Sequence, residues 1–194
     1  MSSKPKILAF AGSTRTESFN KKLMHIAADA AEEAGAAVTR IDLRDLPMPL
    51  YDGDFEKESG IPENGKAFMN LLLEHQGLLI SSPEYNSSIP AVLKNAIDWA
   101  SRPVPGQKPL APFEGKVAAL LSASPGALGG QRGLVVLRML VGNMKVLVLP
   151  EQFSLAKANE AFDADGLLLD EKHLASAQNV AKRLCDVLTR LRNN

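Results

Sequence analysis

The stretch from Ile7 to Asn20, ILAFAGSTRTESFN, decides how the chain folds. Ile7 to Ala11 is a short continuous apolar run that stops at Gly12, the pattern of a strand buried on both faces. Leu23, Ala27, Ala30 and Ala34 then recur at steps of three and four before Gly35, which marks an amphipathic helix with a glycine stop. Outward from this pair the alternation repeats. Val38 to Leu43 alternates apolar and polar as a second strand, and Leu46 to Pro62 reads as loop from its prolines and glycines. Residues 64–75 read as a second helix and Leu78 to Ser82 as a third strand. Leu93, Ala96, Ile97 and Ala100 mark a third helix entered at Pro90, and residues 102–114 are Pro-rich loop. Val117 to Leu121 is a fourth strand, 131–142 a helix, and Val146 to Leu149 a fifth strand ended by Pro150. Residues 151–170 are ambiguous, and Leu174 to Leu191 step by three or four as a final helix.

Strands alternating with helices predict an α/β fold, a parallel sheet covered on both faces. Right-handed crossovers leave doubly wound topologies, and five strands favour the flavodoxin-like order 2-1-3-4-5. Ligands of such sheets sit beyond the carboxyl ends of the strands at the switch point, so the loops after strands one, three and four are the candidate site. Residues 1–194 are expected to form a single domain.

Composition narrows the class further. The chain carries 22 Lys+Arg against 22 Asp+Glu and is 45% apolar, which excludes a disordered chain and gives no basic footprint for nucleic acid or an anionic membrane. The start, MSSKPKILAF, lacks the apolar core of a signal peptide, and no apolar run approaches the length that spans a bilayer. A single cysteine, Cys185, excludes an intrachain disulfide, so a soluble cytoplasmic protein is expected. Cys185 falls near the apolar stripe of the last helix and reads as a packing thiol. His25, His75 and His173 have no neighbours at metal spacing, so no metal site is expected. The acidic cluster Asp52, Asp54, Glu56 and Glu58 reads as a solvated loop face.

The loop after strand one, Gly12 to Asn20, combines hydroxyls, an amide and one arginine with the start of a helix. A helix N-terminus presents unpaired N–H groups and the positive end of a dipole, which attract phosphate. Ser13, Ser18 and Asn20 can donate to phosphate oxygens, and Arg15 adds a charged contact. Equally, Ser18 or Asn20 is an ordinary N-cap. Neither G-x-G-x-x-G nor the GK[ST] end of a Walker loop is present.

GSTRTESFN resembles the G-S-x-R-x-x-S-x-N segment of the NADPH-dependent FMN reductase family, whose members include quinone, azo-dye and chromate reductases. Ser82 to Trp99 resembles the family's P-E-Y-N-x-S-x-P-x-x-L-K-N-A-I-D-W block nearly residue for residue, and Ser122 to Gly130 its S-x-S-x-G-x-x-G-G segment, followed by Leu137-Arg138. The resemblance implies an FMN-dependent NAD(P)H oxidoreductase, with NADPH or NADH as donor and a small-molecule acceptor such as a quinone, flavin, azo compound or chromate. It implies FMN contacts at Ser13, Arg15, Ser18, Phe19, Asn20, Pro83, Glu84, Tyr85, Asn86, Ser124 and Gly126, with no side chain obliged to act as a catalytic acid or nucleophile. It also implies a homodimer or homotetramer with flavin sites near subunit seams, and residues 151–170 and the apolar surface of the third helix are candidates for the seam. A flavodoxin-like carrier is the alternative, and a flavin-free nucleotide-binding domain a further one. Trp99 at helical spacing reads as core, and Lys94, Asn95 and Asp98 as anchors for neighbouring loops. Arg132 and Arg138 are open between an anionic substrate, a cofactor phosphate and a subunit contact.

Overall fold

The computed structural model describes residues 4–193. Five strands, β1 (Lys6–Ala11), β2 (Ala37–Asp42), β3 (Gly77–Ser81), β4 (Val117–Ala123) and β5 (Leu147–Leu155), form one sheet in the order β2-β1-β3-β4-β5, every pairing parallel. The helices are α1 (Phe19–Glu33), α2 (Gly53–Ser59), α3 (Glu63–Glu74), α4 (Ala91–Ala100), α5 (Gln131–Asn143) and α6 (Glu171–Asn193). Strand residues alternate between two cores. Ile7, Ala9, Leu79, Val117, Ala119 and Leu121 pack with α1 and α6, while Leu8, Phe10, Leu78, Ile80, Ala118 and Leu120 pack with α3, α4 and α5. The central strands are continuous apolar runs because both faces are covered. No helix among the described residues is long and apolar enough to cross a membrane.

The sheet has the expected order, and two local expectations are corrected. The fifth strand does not stop at Pro150 but runs to Leu155. The register slips there, from Ala118 against Val148 to Leu120 against Gln152, so Pro150 lies in an irregularity on an edge strand, where a missing N–H costs no ladder bond. The extension gives the loop after β4 a floor, with Ser124 N donating to Leu155 O (3.0 Å) and Ala158 N to Ser124 O (3.0 Å).

The stretch 46–62 is not all loop, since Gly53–Ser59 is helical. Asp52 caps α2 by accepting from Asp54 N (2.8 Å) and Phe55 N (3.4 Å). Glu56 accepts from Arg102 Nε (3.0 Å) and Tyr51 OH (2.9 Å), so half of the acidic cluster has partners and is not merely solvated. Trp99 is buried and donates to Pro49 O (2.8 Å), and Tyr51 and Phe55 meet its ring edge-on. Asn95 accepts from Tyr51 N (2.8 Å) and donates to Pro49 O (2.9 Å), the anchoring expected of it.

At the amino end of the sheet, opposite the candidate site, Lys116 is 6% exposed and donates to the backbone oxygen of His75. Burial pushes its ammonium down to about 8. A lysine that holds its proton less tightly when folded makes stability rise with pH from the folded value toward the unfolded one. Denaturant unfolding of the native sequence should therefore show stability increasing between pH 8 and 10.5, and Lys116→Met should remove that increase.

Candidate functional site

Three loops meet at the carboxyl ends of β1, β3 and β4. Gly12 N donates to Ser81 O (2.9 Å) and Ser82 N to Leu121 O (2.9 Å), so the three strands release their chains at one level. Asn20, 3% exposed in the first turn of α1, ties them together. Its Nδ2 donates to Ala123 O (2.8 Å), and its Oδ1 accepts from Ala123 N (3.0 Å) and from Ser81 Oγ (3.0 Å). Three of the four hydrogen-bonding positions of this amide are thereby taken, which leaves one N–H for a ligand.

Ser18 is the N-cap of α1, yet its side chain caps nothing and forms no hydrogen bond among the described residues, although the residue is 4% exposed. Its backbone oxygen accepts from Lys21 N (3.0 Å) and Lys22 N (3.1 Å), while the N–H groups of Phe19 and Asn20 have no partner among the described residues. Ser13 Oγ accepts from Arg15 N (3.3 Å). The Arg15 side chain is exposed and makes no ion pair among the described residues. The result is a small cavity of about 70 Å³ lined by Ser13, Arg15, Ser18, Phe19, Asn20, Pro83, Glu84, Tyr85, Ala123, Ser124 and Pro125. Phe19 also stacks on Phe162 at 5.9 Å, so it serves packing as well as the cavity wall.

A larger cavity of about 450 Å³ adjoins it through Glu84 and Ser124, and it contains the remaining two expected residues, Asn86 and Gly126. The chain from Tyr85 to Ser88 is a tight hairpin, with Tyr85 N donating to Ser88 O (2.9 Å) and Ser88 N to Tyr85 O (3.0 Å). Asn86 (φ 51°) and Ser87 (φ 63°) are both left-handed, as a type I′ turn requires. The Tyr85 N–H is thus spent within the turn. The N–H groups of Glu84 and Asn86 have no partner among the described residues. The Tyr85 side chain is 51% exposed at the mouth of the site.

The Glu84 carboxylate is engaged within the chain. It accepts from Arg132 (2.8 Å to Nε, 2.7 Å to a terminal nitrogen) and from Gly133 N (3.1 Å). It therefore caps the first turn of α5, whose own N-cap, Gly130, has no side chain to do so. Gly130 is confined to glycine by a φ of 87° and by Ser122 Oγ, which would lie 1.9 Å from an added Cβ. Arg132 is held within the chain by Glu84, and Arg138 by Gln152 Oε1 (2.9 Å). The Glu84 side chain is thus occupied within the chain, while its backbone N–H has no partner among the described residues.

Arg44 escaped the sequence reading. It sits in the 3-10 turn Leu43–Asp45 after β2 and donates to Thr16 Oγ1 (2.8 Å) and to Thr14 O. Its place at the carboxyl end of the strand beside β1 was the available signal.

An open helix start with an unpaired arginine, leading into a cavity walled by a tyrosine hairpin and a glycine loop, suits a phosphate attached to a flat ring. The family model described as NADPH-dependent FMN reductase matches residues 5–160. The chain belongs to this family. It is 39% identical over 177 residues to an NAD(P)H-dependent FMN reductase of Pseudomonas aeruginosa, covering 89% of each chain. It is 37% identical over 167 residues to a 2-hydroxy-1,4-benzoquinone reductase of a Burkholderia species, covering 86% of each. Among solved structures it resembles the flavoenzyme NAD(P)H:(acceptor) oxidoreductase FerB of Paracoccus denitrificans, with a TM-score of 0.78, 29% identity and coverage of 96% of this chain and 98% of that one. The fold is therefore flavodoxin-like, and the protein is an oxidoreductase of the FMN-dependent, NAD(P)H-using kind.

Asn20→Ala should lower the unfolding free energy by about 1–3 kcal/mol, because Ala123 and Ser81 lose buried partners. Urea denaturation followed by circular dichroism measures it.

Proposed function

We propose that the chain, acting as one domain, holds FMN across the two cavities and reduces a quinone-class acceptor with electrons from NADPH or NADH. The observation that carries the reading is the uncapped start of α1 with Ser18 and Arg15 unpaired, opening onto the cavity between the loops after β3 and β4. The donor set fits the cofactor. The free N–H groups of Phe19 and Asn20, the Ser18 and Ser13 hydroxyls and the Arg15 guanidinium suit a phosphate dianion. The larger cavity supplies N–H donors from Glu84 and Asn86, backbone at Ser124 and Gly126 free of bulky side chains, and the Tyr85 ring as a wall.

FMN, when bound, supplies hydride acceptance from a reduced nicotinamide and electron donation to an acceptor. The chain's own work is to bind and orient. Pro83 and the Tyr85–Ser88 hairpin fix the ring wall, and Glu84, locked to Arg132 and α5, keeps that hairpin in place. No side chain of the site is assigned as a catalytic acid, base or nucleophile. The relatives named as quinone reductases support the choice of acceptor.

A second copy of the chain is the proposed partner, in a dimer or tetramer. Leu93, Ala96, Ile97, Trp99 and Ala100 of α4 are buried inside the chain, so a seam on that helix would use its remaining face. Exposed apolar side chains include Leu50, Leu73 and Leu128, Val135 and Met139 on α5, Leu147 at the start of β5, Leu191 on α6, and Leu167 and Leu169, the last two within the expected stretch 151–170. A neutral net charge opposes such association little. A cytoplasmic setting accords with one buried thiol and no disulfide.

A visible spectrum of the purified protein with FMN should show a bound flavin. NAD(P)H should then be oxidised with a benzoquinone and no partner reductase; failure of that oxidation would return the carrier reading. Arg15→Ala should weaken FMN binding by about 1.5–3 kcal/mol, roughly 10- to 150-fold in dissociation constant. Cys185 is 3% exposed, donates to Ala34 O (3.3 Å), and burial pushes its thiol up. Cys185→Ser should leave turnover unchanged in a steady-state assay.

A further inference from the structure

We infer that Arg44 is a positioning residue that sets how strongly the site prefers a phosphorylated flavin over an unphosphorylated one. The inference rests on the FMN reading above and extends it to a side chain that does not line the cavity.

The segment from Ser13 to Glu17 is neither helix nor strand. At one end Gly12 is tied to β3, and at the other Ser18 begins α1. Between them, among the described residues, the one hydrogen bond within the segment is Arg15 N to Ser13 Oγ (3.3 Å), and Glu17 pairs with Lys22 of α1 at 3.6 Å. Arg15 itself is exposed and unpaired among the described residues, so nothing in its own side-chain contacts fixes where its charge lies. The residues on either side of it are fixed from outside, and both by Arg44. One terminal nitrogen donates to the Thr16 hydroxyl (2.8 Å), and the other to the Thr14 backbone oxygen.

The guanidinium thus straddles Arg15, holding the chain just before and just after it. A planar fork with several donors can do this, whereas a single ammonium cannot hold both acceptors in the same way.

The fork is held in turn. Asp42, the last residue of β2, accepts from Arg44 N (2.9 Å) and pairs with Lys21 of α1. Burial works against its ionisation, but the bonds from Lys21 and Arg44 outweigh it and hold its carboxyl below the usual range. The brace therefore runs from α1 through the end of β2 to the loop that carries Arg15. Losing Arg44 leaves the ends of that loop in place and frees its middle, so the loss falls on whatever Arg15 contacts.

The test compares FMN with riboflavin, which has the same ring and no phosphate, by titrating flavin-stripped full-length protein and following fluorescence quenching. Arg44→Ala should raise the FMN dissociation constant on the order of tenfold and leave that for riboflavin unchanged. Arg44→Lys should recover part of the loss. Thr16→Val, which removes one acceptor and keeps the side-chain volume, should cost roughly two- to tenfold for FMN alone. Arg40→Ala removes an arginine of β2 that pairs with Asp29 and Glu32, away from this loop, and should change neither constant.

If Arg44→Ala and Thr16→Val weaken both flavins equally, or neither, the inference is overturned while the FMN site stands. A native protein that holds riboflavin as tightly as FMN would overturn the phosphate reading itself, and the inference with it.

Discussion

The Asn20 carboxamide is buried where three strands end, and the site depends on its bonds. A parallel sheet leaves the carboxyl ends of its strands with backbone groups that the ladder no longer serves. In this chain Ala123 N and O fall in that position at the end of β4, and the Ser81 hydroxyl does so at the end of β3. One amide from α1 meets all three. Because Asn20 sits in the first turn of α1, the same contacts that satisfy the sheet also hold the helix start against the ends of β3 and β4. A buried unpaired polar group costs free energy of the same order as a hydrogen bond, so the arrangement is stable only as a set.

The architecture was legible in the sequence because the strands and helices have different hydrophobic periods. The central strands, covered on both faces, appear as unbroken runs such as Ile7 to Ala11, and the crossover rules then leave few topologies. What was not legible depended on partners distant along the chain. Pro150 reads as a strand end from local propensity, yet the irregular register against β4 accommodates it on an edge. Gly53–Ser59 lies in a stretch of turn residues, and its helix is stabilised by Arg102 and the Trp99 ring from α4. Asp52 was a local sign of that helix, a cap immediately before it.

In the site, the residues themselves were legible but their roles were less so. The motif positions converge on two adjoining cavities, as the order of strands requires. Sequence spacing, however, does not say which face of a side chain is already occupied. Asn20, read as a phosphate donor, spends three of its four side-chain hydrogen-bonding positions on Ala123 and Ser81. The Glu84 carboxylate is tied to Arg132 and α5. Arg44 carried no motif at all, because its acceptors are a backbone oxygen and a hydroxyl some thirty positions earlier.

Glu84 also makes the start of α5 differ from that of α1. Both α1 and α5 begin at this end of the sheet, and each start carries unpaired N–H groups and the positive end of a helix dipole. Gly130 cannot cap α5, and its φ of 87° and closeness to Ser122 bar any residue that could. The Glu84 carboxylate fills that place and brings Arg132 with it, so the charge at the start of α5 is balanced within the chain. At α1 the situation is reversed: Ser18 occupies the capping position without capping, and Arg15 makes no ion pair among the described residues. The positive end of α1 is therefore left without a partner from the chain, while that of α5 is balanced by the loop after β3. The overall neutrality of the chain conceals this local difference between the two helix starts.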